Sequence, residues 1–315
     1  MNIEQVKTIV VIGAGAMGQQ IAMNTALNGR ASSYRVILCD SFPSAVEKAQ
    51  KWAADYLAGR VAKGRITQPE ADRISASLSF SQDVDGAAVQ ADIVIEAIIE
   101  KLEIKRELFG RISKLCKPDT ILGSNSSNLV SSKLADVTVN PQRLLNIHYF
   151  NPALVMQLVE LVRGPHTAPE TIETARAFAL STGKAPIVIN KEIAGFVANR
   201  INAAVTHEAC SLLEKGVASV EDIDTACEKG LGYPMGPFRL MDLTGIDVNY
   251  YVRRDRYAES GDEYDKPSPL VIEKFQKGEL GRKTGKAGTT IPQPTKNKGP
   301  GSAQCSRRDT RQENA

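Results

Sequence analysis

The chain has 315 residues, 42% hydrophobic and 24% charged, with a net charge of +3. That length suits two domains, the composition is ordinary for a globular protein, and the charge is too small for a global attraction to nucleic acid or membrane. Five scattered cysteines, odd in number and without a CxxC pair, argue against a disulfide framework or a zinc site and fit a reducing compartment. No apolar run approaches a membrane span. The opening MNIEQVKTIVVIGAG enters a strand with no room for a signal or transit peptide. A cytoplasmic protein without a metal is expected.

In chain order, KTIVVIGAGAMGQQIAMNTALNG reads as a β-branched run, a glycine-rich turn and a helical pattern ending at Gly29. YRVILCD is a second strand, and SFPSAVEKAQKWAADYLAGRVAKGRI a long helical segment, basic towards its end. ADIVIEAI is a strand, KLEIKRELFGRISKLCKP an amphipathic helix stopped by Pro118, and TILGSNSS, RLLNIHYF, LVELVRG and APIVIN further apolar runs. Strands alternating with helices predict βαβ units and a largely parallel sheet up to about residue 190. Beyond it the pattern turns helical. Val197, Ile201, Val205, Ala209 and Leu213 form a stripe ending before Gly216, and Ser219 and Asp222 stand at capping-box spacing. These stripes are more apolar than one small domain needs, which points to self-association.

Gly13, Gly15 and Gly18 spell GxGxxG, with a strand running in and a helix running out through Ala16 and Met17. In that setting the glycines serve a tight turn, close approach of a pyrophosphate and helix–strand packing. The second strand ends at Asp40, about twenty residues on, where an acid can accept from both ribose hydroxyls and would repel a 2′-phosphate. NAD is expected over NADP. The bland alternative is a buried turn with a capping aspartate.

Among three histidines, His166 has a loop setting and is expected in solvent, and His207 lies within a helix. His148 ends an apolar run, and Glu160 interrupts the next one, MQLVELV, where a carboxylate is costly unless paired. On neighbouring strands the two would make a base dyad, the carboxylate fixing the imidazole tautomer. A satisfied core pair is the alternative.

The motifs VIGAGAMGQQIA, IEAIIEKLEIKRELF, GSNSSNL, HYFNPALVMQLVELV, GFVANR and GYPMGPFRLMDLTGID run in order over roughly residues 7 to 286. Together they resemble the L-3-hydroxyacyl-CoA dehydrogenases, especially the short 3-hydroxybutyryl-CoA dehydrogenase type. The resemblance implies a Rossmann-like, doubly wound α/β domain over residues 1–190 and a helical substrate and dimerisation domain over 191–286. It implies an acyl-CoA substrate, NAD as cofactor and a homodimer. By the same resemblance His148 looks like the catalytic base and Glu160 its orienting partner. Ser127 looks like the hydroxyl on the substrate oxygen, and Asn199 like the amide that helps hold the carbonyl. Asp40, Glu100, Lys105 and Asn151 fall on NAD-contacting positions. Lys63 falls where a base meets the CoA moiety, beside Arg60 and Arg65, and Lys283 matches a lysine near the cofactor. Ser126, Asn128 and Tyr149 depart mildly from the family's pattern, and Tyr56 stands near a usual serine, so that contact is not carried over.

The expected reaction is reversible oxidation of a 3-hydroxyacyl-CoA to a 3-oxoacyl-CoA. Rival readings are a sugar-acid relative such as an L-gulonate 3-dehydrogenase, and a non-catalytic NAD-binding protein on the same fold. A nucleic-acid binder using the basic tail has little support, because the tail lacks interleaved aromatics. After GRKTGK the family's ending is Gly-aromatic-Tyr-x-Tyr, and here AGTTIP follows. Taken one base earlier, its codons permit Gly-Trp-Tyr-Asp-Tyr-Ser. Residues 287–315 are therefore expected to be an out-of-frame stretch, or else a divergent end, disordered and without function.

Overall fold

Short apolar, often β-branched runs make the strands, and burial of the central ones on both faces explains why those are continuous rather than alternating. They are β1 (Thr8–Ile12), β2 (Arg35–Cys39), β3 (Leu78–Ser81), β4 (Ile93–Glu96), β5 (Ile121–Ser124), β6 (Leu144–Tyr149), β7 (Leu158–Val162) and β8 (Ala185–Ile189). In β1, Ile9 and Val11 join one core layer while Val10 and Ile12 join the other. Each such side chain, fully buried, contributes roughly 1.5–3 kcal/mol. The computed structural model describes residues 2–29 and 34–285, so the stretch expected to be out of frame lies outside them.

The described strands form one sheet in the order β3-β2-β1-β4-β5-β6-β7-β8. Neighbours are parallel except β6 and β7, which are antiparallel. Helices α1 (Ala16–Asn28), α2 (Pro43–Ala62), α3 (Gln68–Ser77), α4 (Val84–Gln90), α5 (Leu102–Leu115), α6 (Ser132–Ala135) and α7 (Pro169–Ser181) connect the strands. The mainly parallel, doubly wound sheet is as the sequence predicts. The chain order turns between β1 and β4, which opens a crevice at their carboxyl ends, where doubly wound sheets bind ligands.

Three elements carried too little apolar pattern to be read in advance. The edge strand β3 is LSFS, half polar, and α3 and α4 are short. Their starts are chemically marked nonetheless. Thr67 and Glu70 form a capping box ahead of α3, and Asp83 caps α4 through the Gly86 N–H.

The chain divides into two compact units, the first running through Arg200 and the second starting at Ile201. Residues 191–200 belong with the first: Glu192 accepts from Ser131 Oγ, and Gly195 N–H donates to the Ser127 carbonyl. The second unit holds most of α8 (Ala198–Glu214), with α9 (Val220–Thr225), α10 (Pro237–Thr244), α11 (Ile246–Ser260) and α12 (Pro269–Gln276). It has its own core of Ala209, Cys210, Ile223, Phe238, Met241 and Val271. Ser219 Oγ accepts from Asp222 N–H at the start of α9, as its spacing predicts. No described helix is long and apolar enough to cross a membrane.

Candidate active site

The antiparallel register of β6 and β7 sets His148 directly opposite Glu160. Both are buried, Glu160 completely. His148 Nδ1–H donates to Glu160 Oε2 at 2.9 Å. Burial pushes the Glu160 carboxyl up, but the His148 bond and the N–H groups of Ala198 and Val197 outweigh it and hold the group below its ordinary value. An ionised carboxylate only accepts, so the proton of a neutral imidazole sits on Nδ1 and leaves Nε2 as the basic nitrogen. Phe150 and Phe196 pack edge-on against the imidazole, with centroids at 4.6 and 5.4 Å, and fix its plane.

Glu160 has a second task. Its Oε1 accepts from Val197 N–H at 3.1 Å and from Ala198 N–H at 2.9 Å, so it caps the start of α8. Asn199 follows in that first turn. One carboxylate thereby sets both the histidine and the segment carrying Asn199. Phe196, just before, adopts φ +49°, a conformation costly for a bulky residue and concentrated at functional sites.

At the same carboxyl edge of the parallel strands, just after β1, Gly13 takes φ +109°, and a Cβ there would enter the Ala97 carbonyl. A Cβ at Gly18 would collide with the Gly13 carbonyl, whereas Gly15 faces open space. Gly15 and Ala16 are exposed, and α1 begins without a side-chain cap, so its first N–H groups stand open to an anion. Asp40 follows β2, its Oδ2 accepting from Ala14 N–H at 2.8 Å and its Oδ1 from Phe42 N–H at 3.0 Å. A cavity of about 600 Å³ is lined by Gly13, Gly15, Asp40, Phe42, Ile98 and Arg111, among others. The open backbone donors, the acid and the apolar walls fit a dinucleotide.

A family model described as the 3-hydroxyacyl-CoA dehydrogenase NAD binding domain matches residues 8–193, and the C-terminal domain model of the same family matches 195–290. The chain belongs to the 3-hydroxyacyl-CoA dehydrogenase family. It is 37% identical to a probable 3-hydroxybutyryl-CoA dehydrogenase of Bacillus subtilis, over 90% of this chain and 96% of that one. The solved (S)-3-hydroxybutyryl-CoA dehydrogenase of Ralstonia eutropha superposes with a TM-score of 0.84 at 34% identity, covering 92% of this chain and all of that one. A 3-hydroxybutyryl-CoA dehydrogenase structure from Escherichia coli gives 0.85 at 37% identity, covering 90% of this chain and 59% of the longer relative. As a member of this family the chain is an NAD-dependent oxidoreductase.

The remaining residues expected in this dehydrogenase fall into four groups. Lys105 is 1% exposed and bonds Glu96 at 2.6 Å and Glu100 at 3.1 Å. Ser124 Oγ donates to Glu96, and Ser126 Oγ to Glu100, so β4, α5 and the loop after β5 share one ionic network. That burial leaves Lys105 to act through Glu100. Ser127, half buried, and exposed Asn151 lie on the loops that follow β5 and β6. Exposed Lys63 ends α2 and lines a cavity of about 300 Å³ with Arg60 and Arg65. Lys283 lies in the second unit, paired with Asp247.

Glu96 escaped the sequence reading, although an acid closing the apolar run IVIE was a signal that it is paired. His166 departs from its expected solvent setting: it is half buried, with Ser131 Oγ 3.4 Å from Nε2, and burial lowers its proton affinity against the pull of Glu192.

Proposed function

We propose that this chain catalyses the reversible oxidation of L-3-hydroxyacyl-CoA, with 3-hydroxybutyryl-CoA as the first substrate to test, and that His148 is its general base. The observation that carries the reading is the buried His148–Glu160 pair, with its carboxylate held ionised and Nε2 left basic. Bound NAD supplies the hydride acceptor for C3. His148 Nε2 takes the hydroxyl proton as C3 becomes a carbonyl, and Glu160 stabilises the imidazolium that results. Such a base supplies about 10²–10⁴ in rate. Ser127 and Asn199 donate to the substrate oxygen, and placement of C3 provides much of the remainder.

Gly13, Gly15, Ala16, Met17 and Gly18 would cradle the pyrophosphate and Asp40 the ribose, with Asn151, Lys283 and Glu100, the last held in place by buried Lys105, completing the cofactor contacts. Lys63, with Arg60 and Arg65, would meet the phosphates of CoA. The enzyme works as a homodimer in the cytoplasm.

A panel of 3-hydroxyacyl-CoA thioesters and L-gulonate, each with NAD and with NADP, is followed by absorbance of the reduced cofactor. Turnover of the thioesters with NAD is expected. Turnover of gulonate with none of the thioesters would overturn the substrate assignment, and no turnover at all would favour a binding protein.

A further inference from the structure

Asn146 stands two residues before His148 on β6 and is completely buried. A buried amide must satisfy both its oxygen and its NH₂. Asn146 does so on the loop after β5. Its Oδ1 accepts from Ser131 N–H at 2.9 Å, and its Nδ2 donates to the Leu129 carbonyl at 3.0 Å, with a longer approach of 3.5 Å to the Ser126 carbonyl. Ser127 lies inside the span that these bonds close.

The register explains the arrangement. β5 ends at Ser124, whose partner on β6 is Asn146. From that pair the loop leaves the sheet, while β6 continues to Tyr149. Asn125 reaches back the other way: its Oδ1 accepts from Tyr149 N–H at 2.9 Å, replacing a ladder bond that β5 no longer offers. His148 therefore lies between two points at which its strand is tied to the loop of Ser127. The loop has fixings of its own. Ser126 Oγ accepts from Leu129 N–H at 2.8 Å, and the Ser127 carbonyl accepts from Gly195 N–H at 3.1 Å. Losing the Asn146 bonds would thus shift the loop against β6 rather than dissolve it.

We propose that Asn146 is a positioning residue for the reaction: it fixes the Ser127 hydroxyl relative to His148, so that donor and base converge on one substrate oxygen. The proposal rests on the roles given to Ser127 and His148 above. An asparagine is required because the loop presents one N–H and one carbonyl to the same side chain. Alanine leaves both unpaired in a dry place. Aspartate keeps the acceptor for Ser131 but turns an anion towards the Leu129 carbonyl.

The test is a double-mutant cycle of Asn146→Ala with Ser127→Ala, read by steady-state kinetics with 3-hydroxybutyryl-CoA. Asn146→Ala alone is expected to lower kcat about tenfold, the scale of a small misplacement, with KM for NAD and the pH profile of kcat unmoved. In the Ser127→Ala background the same change should cost less than about twofold, because no hydroxyl is left to misplace. An undiminished loss in that background, or a single variant with the kcat of the parent, overturns the proposal. A Ser127→Ala enzyme with unchanged kcat overturns instead the reading of Ser127 beneath it. Asn146→Asp, which preserves shape, runs the same cycle should the alanine variant fail to fold.

Discussion

His148 can work as a base only while Glu160 stays ionised beneath it. The Glu160 carboxyl is buried, yet it is held below its ordinary value of 4.5 by His148 and two backbone N–H groups. Replacing His148 with Gln removes the proton acceptor but leaves the glycine-rich turn alone. Turnover should fall by about 10³-fold or more while NAD still binds, checked by assay of NADH formation and by calorimetric titration with NAD. Glu160→Gln removes the stabilisation of the imidazolium. The rate should drop about 10–100-fold, and the acidic limb of its pH profile should move to lower pH. The same carboxylate also contributes to stability. A depressed folded value means that its contribution is present above the ordinary value and is lost as pH falls through the folded one. The gap in melting temperature between the parent and Glu160→Gln should therefore be widest near neutrality and shrink below about pH 4.5. Thermal melts from pH 7 to 3.5 would show it. The histidine and its partner were legible because each breaks an apolar run. The second bond of Glu160, to Ala198, was not, since its partner lies 38 residues further on and is a backbone group with no sequence signature.

At the scale of elements, the unit β1–turn–α1 with the end of β2 was legible almost entirely, because its constraints are steric. Gly13 and Gly18 have no room for a side chain, and the β-branched runs leave little choice but strands. What escaped notice were elements with weak patterns, β3 among them, and the reversal at β7. A strand's direction depends on the connection before it, and NPALVMQ carries no periodicity. Asp40 tests the turn. Its carboxylate holds Ala14 N–H and faces the cavity that suits the adenosine half of a dinucleotide. Asn at this position keeps an acceptor for Ala14 but loses the charge that repels a 2′-phosphate. KM for NAD should rise about tenfold, and the NAD-to-NADP ratio of kcat/KM should fall by at least as much, in steady-state assays with both cofactors. An unchanged ratio would mean that Asp40 serves only the turn.

The whole molecule poses a different problem in its second unit. This unit encloses a core of its own, yet it leaves Ile201, Val217, Leu231, Leu243 and Val248 at 48–67% exposure. A cavity of about 510 Å³ in the same unit is lined mainly by apolar residues, Val205, Ala209, Leu212, Ile223, Leu231 and Tyr233 among them, together with Glu208 and Asp222. Scattered single apolar residues need no explanation, but an apolar recess on a helical unit is the kind of surface that the proposed homodimer would bury. The expectation of self-association came from helical stripes with more apolar residues than one small domain needs. For the proposed homodimer, sedimentation at micromolar concentration should return twice the chain mass. Leu231→Glu places a charge on the rim of the recess. If this face is the interface, the variant should sediment as a monomer with its first unit intact, and NAD titration should report undiminished binding. A parent chain that sediments as a monomer at tens of micromolar would remove the dimer. A dimeric Leu231→Glu would move the interface to another face.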